Sequence, residues 1–377
     1  MDRLTHRECF NAVMAGKVTD WAPNYELGLW GQTVERWHQE GLPQAASFVG
    51  RMDMFEGELL FHLNRRAFAR LDLSMFPAFE YEVVEEDEQY ITARHTNGVT
   101  TKALKTGTVR GTRMTMDTYL DFPVKDRATW LDVKRRYNPD VVWRYPFWWD
   151  ESARLWRDRD YPVCLLGNGA YGLYSQLRSW VGTEPLSYLF HDDPVLVEEM
   201  VEFHADFLLA LVERARRDVR FDYFNFCEDC AGKGGPLYGP EQFRRFFSKP
   251  YRRIINSLKR AGIRSFWLDT DGDAEALVPL WMEVGINCFW PLEQASGMDP
   301  LRLRKKFGRG LILCGGLDKM EIAKGPKAIE RELHAKIPPM ITDGGHIPHI
   351  YHAISPEISF RDFMYYMELK RKLIGQG

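Results

Sequence analysis

Short apolar segments alternate with longer helical ones along most of this chain, and that alternation limits the folds available to it. Eight segments have the character of strands: WAPNYE (21–26), RLDLSMF (70–76), PVCLLG (162–167), FDYFNF (221–226), SFWLDT (265–270), NCFWPL (287–292), LILCGG (311–316) and PMITDGGHI (339–347). Helical stretches such as 184–217 and 239–262 lie between them. Strands that alternate with helices form right-handed βαβ units and a parallel sheet. Eight such strands predict an α/β protein closed into a (β/α)8 TIM barrel.

Residues 80–125 interrupt this pattern. The sequence YEVVEEDEQYITARHTNGVTTKALKTGTVRGT (81–112) alternates polar and apolar residues, as extended antiparallel strands do. Asn97-Gly98 lies between two such stretches and is typical of a type I′ hairpin turn. We therefore predict an antiparallel β-hairpin insertion at 80–125 within a single barrel domain that spans residues 1–377.

Composition excludes several classes of partner. A length of 377 residues is normal for one barrel with an insertion, and the net charge of −3 gives no basic excess for nucleic acid. No apolar run approaches the roughly 18 residues that cross a bilayer. The six cysteines are scattered and do not resemble a disulfide framework. We expect a reduced, cytoplasmic protein that does not bind membranes, with a homodimer as an open alternative to the monomer.

In a barrel, chemistry belongs at the carboxyl ends of the strands. The segment FWLDTDGD (266–273) places three carboxylates there. Residues i and i+2 of a strand project to the same side, so Asp269 and Asp271 are predicted to point together toward a ligand or cation. Asp273 is better placed to cap the following helix. The alternative is that the segment is only a polar turn between strand and helix.

Other strand ends carry polar groups as well. They are Glu26, Glu228 with Asp229, Glu293, and the histidines of GGHIPHIYHAISPE, namely His346, His349 and His352. Imidazole is a proton donor or acceptor near neutral pH and also a metal ligand. A carboxylate at Glu293 would orient a ligand, bind a metal or fix a histidine tautomer. Capping, packing or simple hydrogen bonding is the open alternative for each histidine.

The segment WRYPFWWD (143–150) concentrates aromatic rings beside Pro146. One interpretation is an aromatic wall, formed by Phe147, Trp148 and Trp149, over a pocket for a flat ligand. The other is a packed loop that covers the body of the protein. The residues alone leave both interpretations open.

Four long segments resemble the uroporphyrinogen decarboxylase (URO-D) superfamily, a (β/α)8 barrel family that also contains cobalamin-dependent methyltransferases. They are LTHRECFNAVMAGKVTDWAP (4–23), GLYSQLRSWVGTEPLSYLFHDDPVLVEEM (172–200), GINCFWPLEQASGMDPLRLRKKFG (285–308) and GGLDKMEIAKGPKAIERELHAKIPPMITDGGHIPHIYHAISPEISFRDF (315–363). The resemblance therefore runs through most of the chain and implies the barrel fold.

The decarboxylase branch of this superfamily is matched only in part. Its arginine-rich segment after the first strand corresponds to PNYELGLWGQ (23–32), which contains no arginine. Its pyrrole-binding aspartate segment corresponds to LDLSMFPAF (71–79). The YHAI segment (351–354) does match, and it places His352 on the decarboxylase histidine. A substrate with many carboxylates needs several cations, so these departures disfavour a tetrapyrrole substrate.

The methyltransferase branch offers a second comparison. Its zinc-dependent members carry a His-x-Cys pair followed by a later Cys. By the resemblance, the matching positions of this chain hold Asp269, Asp271 and His352. The resemblance therefore implies a divalent-metal set of two carboxylates and one imidazole, with zinc as one such metal. Glu293 or Glu228 would lie nearby.

The function implied by this resemblance is corrinoid (cobalamin)-dependent methyl transfer from a small methylated donor, for which we expect a methoxylated aromatic, to cob(I)alamin on a corrinoid protein. We expect His352, Asp271 and Glu293 to be catalytic. The residues expected to bind the donor are Glu26, Glu228, Asp229, Trp148, Trp149 and His349. Two alternatives stay open: a cofactor-free decarboxylase acting on a tetrapyrrole or another carboxylate, and a non-catalytic ligand- or corrinoid-binding module.

Overall fold

A computed structural model describes residues 3–44, 60–165 and 172–377. Its strands, in chain order, are β1 (Ala67–Ala69), β2 (Glu82–Glu86), β3 (Tyr90–Arg94), β4 (Thr100–Leu104), β5 (Thr108–Val109), β6 (Thr112–Arg113), β7 (Thr118–Asp121), β8 (Val163–Leu165), β9 (Tyr223–Cys227), β10 (Ala231–Gly232), β11 (Gly235–Pro236), β12 (Ser265–Asp269), β13 (Cys288–Trp290), β14 (Ile312–Cys314) and β15 (His346–Ile347). The predicted positions 166–167 lie outside the described residues.

Seven of these strands form one curled parallel sheet. Their order is β1, β8, β9, β12, β13, β14 and β15, and every neighbouring pair is parallel. Each strand therefore pairs with the next one along the chain in this sheet. Strands β8, β13 and β14 are buried along their whole length, as expected of parallel strands covered on both faces. The α/β class and the parallel sheet are thus confirmed.

Helices connect these strands. Those of four or more residues that lie wholly within the described residues are α1 (His6–Met14), α2 (Gly31–Gln39), α3 (Arg127–Arg135), α4 (Trp149–Leu155), α5 (Leu173–Val181), α6 (Thr183–Asp192), α7 (Pro194–Asp218), α8 (Ser248–Arg260), α9 (Val278–Val284), α10 (Pro300–Phe307), α11 (Lys319–Ile322), α12 (Pro326–Asp343) and α13 (Phe360–Leu373). A π-helical turn at Phe243–Phe247 precedes α8. None of the helices in the described part of the chain combines the length and apolarity needed to cross a bilayer.

The two faces of the sheet pack against different cores. Alternate residues of a strand point to opposite faces, so in β12 Phe266 and Leu268 belong to the large core under the helices, whereas Trp267 belongs to a smaller cluster. In that smaller cluster the ring centroids of Tyr223 and Trp267 are 4.8 Å apart. The indole N–H of Trp290 donates to the side-chain oxygen of Asn225 at 2.8 Å. The second face is therefore lined by aromatic rings with a few satisfied polar groups.

Two predicted strands are placed differently. Residues 70–76 are irregular, and the strand is β1 immediately before them. The guanidinium of Arg144 donates to the carbonyl oxygens of Asp72 and Ser74, so these two carbonyl groups are hydrogen-bonded without a neighbouring strand. Most of 339–347 lies in α12, which continues through Pro338 and Pro339, and only His346–Ile347 is a strand.

Residues 21–26 and 184–217 also differ from their predictions. The first segment is extended but is not a strand of the sheet. The second is split into α6 and α7 at Asp193, whose side chain accepts from the N–H of Leu196 at 3.0 Å and caps α7. Pro194 follows as the first residue of α7, where its missing N–H has no consequence.

The region 80–125 contains antiparallel strands. Strands β2, β3, β4 and β7 form a four-stranded antiparallel sheet. The loop between β3 and β4 is not the predicted type I′ turn. Within the described residues only Gly98 has a positive φ there, 82°, and its N–H donates to the carbonyl oxygen of His95 at 2.8 Å. A type I′ turn needs two residues with positive φ.

His204 in α7 makes stability sensitive to acid. It is fully buried, and neither ring nitrogen has a hydrogen-bond partner among the described residues. Burial lowers the pKa of His204 from 6.5 to about 3. In the unfolded chain His204 takes up a proton near pH 6.5, whereas in the folded chain it does so only near pH 3. Above pH 6.5 this histidine does not reduce the free energy of unfolding. As the pH drops below that value the free energy of unfolding falls, by about 2 kcal/mol at about pH 5.

The variant His204→Met tests this expectation, because methionine fills the same space without a titrating group. Urea unfolding at neutral pH and at about pH 5 should show a loss on acidification that is smaller by about 2 kcal/mol than in the unmodified protein. The exposed His191, replaced by asparagine, is the matched control and should leave the loss unchanged. An acid loss in His204→Met equal to that of the unmodified protein would contradict the expectation.

Candidate functional site

The carboxyl ends of β12 and β15 bring Asp271 and His352 together. Nε2 of His352 lies 3.9 Å from Oδ2 of Asp271, and the two side chains are 42% and 44% exposed. His352 has a φ of 57°, a left-handed conformation that few non-glycine residues adopt. Such a conformation costs energy and persists only when the surrounding structure enforces it. The two residues that the sequence placed at separate strand ends are thus neighbours within reach of solvent.

Glu293, which follows β13, fixes the turn that carries Asp271. One carboxylate oxygen of Glu293 accepts from the N–H of Gly272 at 2.7 Å and from the hydroxyl of Ser296 at 3.1 Å. Gly272 has a φ of 76°, and a Cβ there would lie 2.6 Å from the carbonyl oxygen of Ala231. The turn therefore requires glycine at this position, and Glu293 anchors it through the backbone.

Asp273 lies just before the 3-10 turn Glu275–Leu277, whose N-cap residue is Ala274 and not Asp273. The carboxylate of Asp273 accepts from the N–H of Glu275 at 3.1 Å, two residues later in the chain. Asp273 is therefore structural, and Asp271 is the member of this turn that faces His352.

The surroundings of Asp271 raise its pKa. Burial is the largest cause that raises its pKa, and the negative charges of Asp229 and Glu293 raise it further. His352 and Lys319 act in the opposite direction. Its pKa is therefore above the ordinary aspartate value, and the carboxyl binds a proton more readily than an exposed aspartate does. Perturbed groups of this kind concentrate at functional sites.

Lys319 belongs to this cluster and was missed in the sequence. It is the first residue of α11, and its side chain is half-buried. Burial lowers the pKa of Lys319, and the negative charges of Glu293 and Asp271 oppose that shift. Its Nζ lies 4.7 Å from the ring centroid of Tyr351. The signal that indicates Lys319 is its position soon after β14, because other residues of the cluster follow strands in the same way.

Glu228 is buried and structural. Its carboxylate accepts from the N–H groups of Tyr174 at 3.0 Å and Ser175 at 2.8 Å, in the first turn of α5, and from the hydroxyl of Tyr251. Burial raises the pKa of Glu228, and these three donors oppose the shift. Its carboxylate therefore neutralises the amino end of α5, and its side chain is fully enclosed.

Gly172, at the amino end of α5, leaves the space that Glu228 occupies. A Cβ at Gly172 would lie 2.2 Å from Cδ of Glu228 and 2.3 Å from the carbonyl oxygen of Cys227. We expect Gly172→Ala to lower the free energy of unfolding by about 1–3 kcal/mol, because the buried carboxylate has to move. Urea unfolding measures this change.

Gly234→Ala is the matched control for this substitution. A Cβ at Gly234 would meet no heavy atom within 4 Å among the described residues. A surface change of this kind is expected to stay within about 0.5 kcal/mol of the unmodified protein. Equal destabilisation by the two substitutions would show that the contact with Glu228 does not restrict Gly172.

Asp229 is exposed at the same edge of the sheet. Its carboxylate pairs with the guanidinium of Arg178 at 2.9 Å, and its N–H donates to the hydroxyl of Ser175 at 2.8 Å. Its charge still acts on Asp271 and raises the pKa of that carboxyl. Asp229 therefore lies near enough to act on Asp271, but its own carboxylate already has a cationic partner in Arg178.

Glu26 and His349 lie in the interior. The carboxylate of Glu26 pairs with the ammonium of Lys370 and accepts from the hydroxyl of Tyr366 and the N–H of Ile350, and it is 1% exposed. Nδ1 of His349 is hydrogen-bonded to the carbonyl oxygen of Ile350 at 2.7 Å. Burial lowers the pKa of His349 to about 3, so this imidazole is neutral near pH 7. Neither predicted ligand-binding residue presents its charge to solvent.

The aromatic segment lies at the opposite end of the sheet. The indole N–H of Trp149 donates at 2.8 Å to Asp218, the last residue of α7, which leads into the amino end of β9. Trp149 is buried, whereas Trp148 is 55% exposed and Phe147 is 95% exposed. The segment is thus anchored on α7 through Trp149, whereas Phe147 and Trp148 face solvent. The predicted aromatic wall does not lie beside Asp271, because its anchors are at the amino ends of the strands.

The predicted metal ligands are not gathered into a site. Across residues 3–44, 60–165 and 172–377, no group of three or more His, Cys, Asp and Glu side chains is arranged to hold a metal ion. Asp269 ends β12, and its carbonyl oxygen accepts from the N–H of Glu228 at 2.7 Å. Asp271 faces His352, as described above. The arrangement of Asp269, Asp271 and His352 therefore does not fit the divalent-metal set expected from the sequence.

Comparison with protein families and with curated proteins identifies no relative of this chain. No model of a protein family matches the chain, and no curated protein is significantly similar to it. The structure by itself defines the class: an α/β protein with a curled, seven-stranded parallel sheet. At the carboxyl edge of that sheet, Asp271, Glu293, Lys319 and His352 form a polar cluster.

Proposed function

We propose that the chain is a methyltransferase that moves a methyl group from a small methylated donor, with methoxylated aromatics as the first class to test, to cob(I)alamin on a separate corrinoid protein. The observation that carries the proposal is the pair of His352 and Asp271, 3.9 Å apart and half exposed at the carboxyl edge of a parallel sheet. An imidazole held beside a carboxylate is a proton donor for a leaving group, and methyl transfer from an ether requires one.

The proposal includes a closed (β/α)8 barrel of the URO-D superfamily, in its methyltransferase branch. Residues 22–26 are our candidate for the eighth strand position, between β1 and β15. On one side, the N–H of Asn64 donates to the carbonyl oxygen of Asn24 at 2.9 Å. On the other, the N–H of Ile350 donates to the carboxylate of Glu26 at 3.2 Å, and Leu29 forms a parallel bridge with Ile354. These contacts on both sides of the segment support closure.

We further propose that residues 80–125 are an insertion within a single domain. The antiparallel strands β2 to β7 occur in the chain between β1 and β8, which are adjacent in the parallel sheet. A connection between neighbouring parallel strands normally consists of a helix and two loops. The antiparallel sheet is an addition to that connection, which supports the insertion.

In the proposed reaction the nucleophile is the cobalt(I) of the acceptor. Its electron pair forms the bond to the methyl carbon, the bond from that carbon to the donor's oxygen breaks, and the oxygen keeps the bonding pair. The oxygen then needs a proton to leave as an alcohol or a phenol. His352 supplies the proton from its imidazolium, whose charge the carboxylate of Asp271, 3.9 Å from Nε2, stabilises before transfer. Glu293 holds the turn that orients Asp271 through the N–H of Gly272.

The charges around Asp271 favour this reaction over tetrapyrrole decarboxylation. A substrate with many carboxylates needs a pocket rich in cations. The charges that act on Asp271 come from two acids, Asp229 and Glu293, and from two basic residues, His352 and Lys319. The two basic residues at most offset the two acids, so the cluster has no excess of positive charge for a polyanionic substrate. A neutral donor with one reacting methyl group needs no such excess.

The experiment is absorbance-monitored conversion of cob(I)alamin to methylcobalamin under anaerobic conditions. The purified protein is offered methoxylated aromatics, methylamines and methanol in parallel, with a denatured sample as the blank. Methylcobalamin formation with one class of donor supports the proposal. Failure with every class, together with release of carbon dioxide from a carboxylated substrate, would transfer the assignment to a decarboxylase. Corrinoid binding without any turnover would indicate a binding module.

A further inference from the structure

Two hydrogen-bond donors of the cluster lack acceptors. Tyr351 is 2% exposed, and its hydroxyl makes no hydrogen bond with any of the described residues. The ammonium of Lys319 likewise has neither a hydrogen bond nor an ion pair within the described part of the chain. Neither the hydroxyl oxygen of Tyr351 nor the ammonium nitrogen of Lys319 is among the buried unpaired side-chain atoms of the described residues, so both are within reach of solvent. Two donors side by side without a protein acceptor are available to a ligand that supplies acceptor atoms.

The two donors share one location. Nζ of Lys319 lies 4.7 Å from the ring centroid of Tyr351 and 5.8 Å from that of Trp30. Glu293 acts on both groups, since its charge raises the pKa of Lys319 and that of Tyr351. Asp271, the partner of His352, also acts on Lys319. The donors therefore belong to the same cluster as the proposed proton donor.

The protonation of Tyr351 suits a donor role. Burial raises its pKa to about 12, and the charges of Asp318 and Glu293 add to the shift. The hydroxyl thus keeps its proton at neutral pH and is able to donate a hydrogen bond. Lys319 supplies a positive charge in addition.

We propose that Lys319 and Tyr351 form the subsite for the donor's leaving oxygen, and that the enzyme therefore acts on O-methyl ethers and not on methylated ammonium ions. This inference rests on the proposed methyl transfer. Both groups donate hydrogen bonds to the oxygen while the methyl–oxygen bond breaks, and both keep their protons. The proton that the oxygen finally takes comes from His352.

The chemistry of the two donor classes explains the choice. An ether oxygen has lone pairs and gains negative charge as the methyl group leaves, so two fixed donors stabilise it more in the transition state than before. A quaternary ammonium group has no lone pair, and the positive charge of Lys319 repels it. A carboxylate in the same subsite would be repelled by Glu293 and Asp271.

A leaving-group series tests the subsite through turnover. Methyl ethers whose product phenols and alcohols span a wide range of acidity are compared in the unmodified protein, Tyr351→Phe and Lys319→Met. Each substitution should lower the rate by about 10²-fold or more with the least acidic leaving groups, which need most stabilisation, and far less with the most acidic. Equal loss across the series would overturn the inference, because a merely structural defect affects every donor alike.

The exposed residues Tyr188 and Lys327 provide matched controls. Tyr188→Phe and Lys327→Met make the same chemical changes on the surface and should leave the whole series unchanged. Methylated ammonium donors are assayed beside the ethers. Turnover of the ammonium donors at rates comparable with those of the ethers would contradict the proposed selectivity.

A binding measurement separates this inference from the proposed reaction. 4-Nitrophenol is the probe, because its anion absorbs visible light and reports its ionisation when bound. The pKa of the bound probe should be higher in the Tyr351→Phe, Lys319→Met double variant than in the unmodified protein, since the variant stabilises the phenolate less. An unchanged pKa would overturn the subsite even if methyl transfer occurs. If the pKa of the bound probe rises in the double variant but no methyl transfer is detected, the subsite is retained and the proposed reaction is overturned.

Discussion

Replacing His352 by asparagine is expected to lower the rate of methylcobalamin formation from an ether donor by about 10²- to 10⁴-fold, the usual contribution of a positioned proton donor. The leaving oxygen would then have to take its proton from water. Asparagine is the suitable replacement because it tolerates the left-handed conformation that His352 adopts, with a φ of 57°. The loss should therefore reflect chemistry and not misfolding, and anaerobic absorbance spectroscopy measures it.

The control for this prediction is His191→Asn, which makes the same substitution on the exposed surface of α6 and should retain the full rate. Thermal unfolding of both variants checks that the fold is intact. If His352→Asn kept most of the activity with donors that leave as weakly acidic alcohols, His352 would not be the proton donor. Asp271→Asn should also slow the reaction, since the imidazolium would lose the carboxylate at 3.9 Å.

Replacing Lys370 by methionine is expected to lower the free energy of unfolding by about 3–5 kcal/mol, because it leaves the carboxylate of Glu26 buried without its cation. Both side chains are fully enclosed, and the ammonium of Lys370 also donates to the carbonyl oxygen of Tyr25 at 3.0 Å. Burial raises the pKa of Glu26 and lowers that of Lys370, so each charge depends on the other. Urea unfolding at neutral pH measures the change.

The double variant Glu26→Gln, Lys370→Met should recover much of that loss. It removes both charges, and the glutamine oxygen still accepts from the hydroxyl of Tyr366 and the N–H of Ile350. Lys372→Met is the control, because Lys372 is exposed and pairs only with Glu368 one turn away among the described residues. A double variant no more stable than Lys370→Met would show that the unpaired charge is not the cause of the loss.

The parallel sheet was predictable where strands are continuous apolar runs. SFWLDT and NCFWPL contain β12 and β13, which are buried on both faces and so carry no polar alternation. The failures also have physical causes. β1 is only three residues long and reads AFA, too short a signal to detect. Residues 339–347 were predicted as one strand, but α12 passes through both of its internal prolines and ends at Asp343.

The site was predictable in part for a similar reason. Position at a strand end indicated Asp271, Glu293 and His352, which do lie together. The same criterion also selected Glu26 and Glu228, because sequence position does not reveal whether a carboxylate points into solvent or into the interior. Burial, and the partners that satisfy it, emerge only when distant segments pack.

Lys319 and the tryptophans show the same limit. Lys319 follows β14 as other residues of the cluster follow strands, but its local sequence does not show that its side chain is half-buried. Its role follows from contact with Tyr351, 32 residues later in the chain. Trp148 and Trp149 have a conspicuous local sequence, yet the hydrogen bond from Trp149 to Asp218 places them at the other end of the sheet. For locating the candidate site, an unusual local composition was less reliable than a position at the end of a strand.

The most direct test of the proposed methyl transfer uses an aryl methyl ether whose methyl group is fully deuterated. The purified protein, cob(I)alamin and the labelled ether are incubated without oxygen, and the corrinoid and the phenol are analysed by mass spectrometry. We expect methylcobalamin that carries the deuterated methyl group and an equal amount of the free phenol. Recovery of intact ether and unmethylated corrinoid, across ethers of differing leaving-group acidity, would contradict the proposal.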